Sequence, residues 1–108
     1  MTITIIKKLF YGAENLKIRD VIDVAVVCRE KGNELKQYYP LICSKINLLE
    51  HRWGKLRLKY FEEVNQLKVF ERTLVEQAPI LFEQFLRDLN KAKLFNQFNS
   101  RESTTSRL

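Results

Sequence analysis

A chain of 108 residues is long enough for one ordinary domain and too short for two, so its core must be modest. Hydrophobic residues at 45% exclude a wholly disordered chain, while three glycines and two prolines are too few for the turns of an all-β domain. Nineteen Lys and Arg against thirteen Asp and Glu leave a formal charge of +6, which admits an acidic partner without choosing among nucleic acid, an anionic membrane face and an acidic protein.

The first ten residues, MTITIIKKLF, carry two periodicities. Thr2-Ile3-Thr4-Ile5 alternates like a strand, whereas Ile3, Ile6 and Phe10 share one helical face; a short amphipathic helix is the expectation. The lysines follow the apolar residues and no small-residue cleavage site is present, an order unlike a secretory signal. Tyr11-Gly12-Ala13 reads as a break. Asn15 can cap a helix from Leu16 by accepting from open backbone N–H groups. Ile18, Val21, Ile22, Ala25 and Cys28 then form a core-facing stripe, widened by Val24, Val26 and Val27. Those β-branched residues would also suit a strand. Gly32 is placed to end the helix.

Tyr39 is pushed from helical angles by Pro40, and Pro40 suits the first turn of the next helix. There the strongest pattern begins. Ile42, Ile46, Leu49, Trp53, Leu56, Tyr60, Leu67, Phe70 and Leu74 follow a 4-3-4-3 spacing, interrupted at Glu63 with Val64 beside it. This predicts one long heptad-patterned helix from Pro40 to about Gln77, packed against at least one neighbour. Pro79 should end or kink it near Ala78. Phe82, Phe85, Leu86 and Leu89 make a further apolar face, with Phe95 and Phe98 trailing. The sequence from Asn99, NSRESTTSRL, is polar and reads as a disordered tail on a single helical domain over 1–98.

Catalytic patterns are not found. His51 is the only histidine, and Asn47, Leu48 and Lys55 at helical spacing are poor metal ligands, so no metal or cofactor is expected. Glu30-Lys31-Gly32-Asn33-Glu34, followed by Tyr38-Tyr39, loosely resembles the first helix of rubrerythrin-like proteins. That family requires Glu-x-x-His, and Leu48 stands where its Glu would be. Neither Cys28 nor Cys43 has a histidine nearby in sequence, and there is no GxSxG elbow or phosphate-binding glycine loop. With no CxxC pair, the two cysteines suggest reduced thiols in a cytoplasmic protein. No apolar run is long enough for a transmembrane helix.

Charge is more informative. Five basic residues and one acid lie between Lys45 and Lys59, and five acids and two bases between Glu62 and Glu83. Lys45, Arg52 and Lys59 recur every seven residues along one edge of the apolar seam, where their stems can cover it and their heads reach an acidic stripe. Arg52-Trp53-Gly54-Lys55-Leu56 resembles the third helix of a spectrin-type repeat, which implies a helical coiled-coil geometry. The terminal Thr105-Ser106-Arg107-Leu108 matches a short PDZ-type pattern.

The expected fold is therefore all-α, a small helical bundle or extended helical hairpin. The expected role is a non-enzymatic adaptor, chaperone-like or assembly protein that binds a protein partner or its own copy. The expected partner-binding residues are Trp53, Leu56, Tyr60, Lys45, Arg52 and Lys59. A basic helical nucleic-acid-binding protein is the alternative, weakened by the acidic stretch downstream, which would repel phosphates.

Overall fold

The computed structural model describes residues 2–67 and 71–106, and every regular element among them is helical, in agreement with the all-α expectation. The elements are α1 (Thr2–Tyr11), α2 (Ile18–Lys36), α3 (Tyr39–Ile42), α4 (Ile46–Leu56), α5 (Tyr60–Leu67) and α6 (Arg72–Ser106). Short 3-10 turns occupy Ala13–Asn15, Cys43–Lys45 and Arg57–Lys59. The most extensive pairing is α2 on α6, and α3 and α4 also pack on α6.

The N-terminal segment is a helix, but its core face is not the one expected. Thr2, Ile5, Ile6 and Leu9 are buried, a 3-1-3 set on one side, while Ile3 is 62% exposed. Gly12 closes α1 by donating its N–H to the Lys8 carbonyl at 2.8 Å. A Cβ there would lie 3.0 Å from the same oxygen, so the close approach favours glycine.

Asn15 does not cap α2; it ends a 3-10 turn, and the helix begins at Ile18. Asp20 serves the start instead. One carboxylate oxygen accepts from the Lys17 backbone N–H at 3.0 Å, and the other accepts from Lys8 Nζ at 2.9 Å, which ties α1 to α2. The valine-rich run is helical because α2 is covered on a broad face, with Val21, Ile22, Val24, Ala25 and Val27 all buried. The helix does not stop at Gly32. It kinks at Lys31 (φ −135°, ψ 39°) and resumes to Lys36, where Leu35 is fully buried and anchors the last turn.

The single long heptad helix is replaced by a chain of shorter ones. The 3-10 turns at Cys43–Lys45 and Arg57–Lys59 divide it, and Glu71 separates α5 from α6. A 3-10 turn winds more tightly than an α-helix and re-aims the axis. The heptad residues therefore follow a bent path around the core instead of a straight seam. Ile42, Ile46, Leu49, Trp53, Leu56 and Tyr60 are all buried, and Val64 takes the place left by Glu63. Leu74 is half-buried. Phe70 and Leu108 lie outside the described residues, as do the side chains of Leu67, Phe95 and Phe98. The polar sequence expected to be a tail is entered by α6, whose bounds reach Ser106.

Pro79 does not end a helix but sits inside α6. Proline has no N–H to give the carbonyl four residues earlier, here that of Val75. The Tyr60 hydroxyl supplies the missing donor, at 2.7 Å from the Val75 oxygen. Tyr60 is 1% exposed, so its phenol reaches across from α5 through the core. A proline that sequence rules would read as a stop is thus accommodated by a side chain from another helix. Tyr60→Phe is expected to cost about 1–3 kcal/mol by leaving that carbonyl unpaired. In a Pro79→Ala background, where the helix can bond the carbonyl itself, the same change should cost clearly less. Urea unfolding of the four proteins of this cycle measures the difference, and equal costs would show that the two residues are uncoupled.

Candidate functional site

Of the six residues expected at a partner interface, the three apolar ones share the core and the three basic ones contact separate segments of the chain. Trp53, Leu56 and Tyr60 are buried in the core. The Trp53 ring lies 5.2 Å from Phe82 and 6.1 Å from Tyr60, and its indole N–H donates to Glu83 Oε2 at 3.1 Å. Phe82 continues to Phe85 at 5.9 Å and Phe85 to Tyr39 at 5.7 Å, so an aromatic chain links α3, α4, α5 and α6. Arg52 donates from Nε to the Leu16 carbonyl at 2.7 Å, pinning the entry to α2 against α4. Lys59 pairs with Glu63 at 3.2 Å along its own helical path. Lys45 Nζ sits 4.9 Å from the centroid of the Phe10 ring, a cation–π contact between the Cys43–Lys45 turn and α1.

Phe10 leads to a surface that the heptad reading missed. Ile3, Ile6, Lys7, Phe10 and Tyr11 of α1 face Tyr38 and Leu41 across a cleft of about 300 Å³. Ile3 is 62%, Tyr11 82% and Leu41 49% exposed, so the cleft opens to solvent. The face Ile3, Ile6, Phe10, legible in the sequence as a helical stripe, lines this cleft, while the stripe displaced by one position enters the core. Helix α1 is apolar on two sides. The signal was present in the sequence, but Leu41, hidden behind Pro40 and outside any stripe, could not be assigned to the opposite wall.

A second recess of about 480 Å³ lies where α2 kinks, lined by Cys28, Lys31, Tyr39, Gln84 and Asp88 among others. Burial, helped by the Asp88 carboxylate, pushes the Cys28 thiol up to about 12. Burial, with Cys28 and Asp88 adding to it, also pushes the Tyr39 phenol up. These groups stay protonated at neutral pH and are poor nucleophiles there. Cys43 donates its thiol to the Pro40 carbonyl at 3.3 Å. His51 lies in a third recess beside Leu48, Arg52 and Lys55. Among the described residues no group of three or more His, Cys, Asp and Glu could hold a metal ion, and no helix is long and apolar enough to cross a membrane.

No family model, no curated protein and no solved structure matches this chain.

Two outcomes follow from this geometry. Trp53→Ala should lower the unfolding free energy by about 3–5 kcal/mol, as a deep aromatic truncation does. Denaturant unfolding measures it, and an unchanged midpoint would remove the indole from the core. The second concerns alkali. Cys28, Tyr39 and Tyr60 all have raised folded-state values, Tyr60 to about 12 by burial. The native state therefore holds more protons than the unfolded chain above the ordinary thiol and phenol values, about 8.5 and 10. The contribution of these three groups should be constant below about pH 8, so stability should fall as pH rises from there towards 12. A stability that rises over that interval would contradict the assignment.

Proposed function

We propose that the chain is a non-enzymatic helical interaction or assembly module, acting in the cytoplasm, that docks a protein partner or a second copy in the cleft between α1 and α3. The reading is carried by one observation: Ile3, Tyr11 and Leu41 are large, exposed and gathered around one concave surface. Covering apolar surface is favourable by about 25 cal/mol per Å². An apolar cleft held open by two packed helices is a preformed receptor for such covering. Leu58, 85% exposed at the Arg57–Lys59 turn, and Phe61, 59% exposed three residues further on, lie outside the lining of this cleft. Of the basic edge expected to meet an acidic stripe, Lys45 remains beside the cleft through its contact with Phe10.

The test is the double variant Ile3→Glu/Leu41→Glu. Because Ile3 is largely and Leu41 about half exposed, its stability should stay within about 1 kcal/mol of the parent. Crosslinked capture from the native host and sedimentation should both show loss of association. A variant that keeps its partner and assembly state would exclude the cleft as the docking face. Nucleic-acid binding that falls steeply with added salt and ignores the double variant would replace this reading with the nucleic-acid one.

A further inference from the structure

An occupant of the α1–α3 cleft meets two physical constraints, one from backbone polarity and one from charge. Both walls are helical, and no strand edge exists among the described residues. An extended peptide entering the cleft would press its N–H and C=O groups against Ile3, Phe10 and Leu41, with only the Tyr11 and Tyr38 hydroxyls and Lys7 to meet them. A helix arrives with those bonds already made and presents only side chains.

The charge lining the cleft has one sign. Lys7 lines it, Lys45 Nζ lies over the face of Phe10, and no Asp or Glu is among the lining residues. Lys8, the next residue of α1, is already held by Asp20 at 2.9 Å and marks the contrast. A neutral or basic occupant would cover the Lys7 ammonium, with Lys45 close behind Phe10, without supplying a counter-charge. A carboxylate at the edge of the buried face would pair with them at the point where water is excluded.

Resting on the cleft as the docking face, we propose that it takes an amphipathic helix from a protein partner. That helix carries apolar residues at i, i+3 or i+4, and i+7, with Asp or Glu flanking them against Lys7 and Lys45. The concave, two-walled shape suits a convex helix better than a flat lipid surface.

The experiment is a selection from a displayed library of helical peptides on the full chain, followed by binding of the enriched peptides to the parent, to Lys7→Glu and to Ile3→Glu/Leu41→Glu. Circular dichroism melts of each variant confirm folding. Enriched peptides should share the apolar spacing and acidic flanks. Their affinity should fall by at least about tenfold for the double variant, as loss of central apolar anchors does. It should fall several-fold for Lys7→Glu, and with added salt for the parent. A lysine-flanked version of an enriched peptide should prefer Lys7→Glu. Peptides that require Ile3 and Leu41 but carry neutral or basic flanks would overturn the acidic helix and leave the cleft as a docking face. Failure to enrich any cleft-dependent peptide, or binding of anionic lipid vesicles lost in the double variant, would overturn the helix proposal and count against a protein-docking cleft.

Discussion

Helix α6 runs through Pro79, and the carbonyl that the proline cannot satisfy takes its donor from another helix. The Val75 carbonyl, deprived of its own helix partner, accepts from the Tyr60 hydroxyl at 2.7 Å. One hydrogen bond contributes only about 1 kcal/mol net, but a part-buried carbonyl left empty costs more than that. The constraint is also geometric. The phenol can reach Val75 only if α5 lies at one height along α6, so this contact sets the register in which Phe82, Phe85 and Leu89 meet the rest of the core.

Trp53 and Arg52 work by the same logic. Each has a long apolar body and a polar tip, and each tip finds its acceptor on a different segment: Glu83 on α6 for the indole, the Leu16 carbonyl before α2 for the guanidinium. Residues with both properties are common at protein interfaces, where one end is dry and the other wet. Here they join the chain to itself. The cleft proposed for docking lies on the other side of α1, whose inner face is already committed to the core.

Much of the fold was legible because it follows from local periodicity. The stripes of α2 and α4, the apolar face after Pro79 and the break at Gly12 are all in the sequence. Three features were not. The division of the heptad run into α3, α4 and α5 is invisible because a 4-3 spacing survives when one tight turn replaces a wider one. The donor that meets the carbonyl left open by Pro79 is Tyr60, nineteen residues away and on another helix. The continuation of α2 past Gly32 depends on the burial of Leu35, a tertiary fact. The cleft was half legible: the Ile3, Ile6, Phe10 stripe could be seen, but a stripe does not announce whether it faces core or solvent when its helix is apolar on both sides.

The chain holds a single tryptophan, and its surroundings give it a use beyond packing. The indole is 5% exposed, bonded to a carboxylate of α6 and in ring contact with a phenylalanine of that helix and a tyrosine of α5. Separation of α4 from α6 would hydrate the ring and remove both the carboxylate and the phenylalanine at once. The emission of the unlabelled protein is therefore an internal gauge of whether these helices are docked. It reads the core directly, while the lining of the α1–α3 cleft holds tyrosines but no tryptophan.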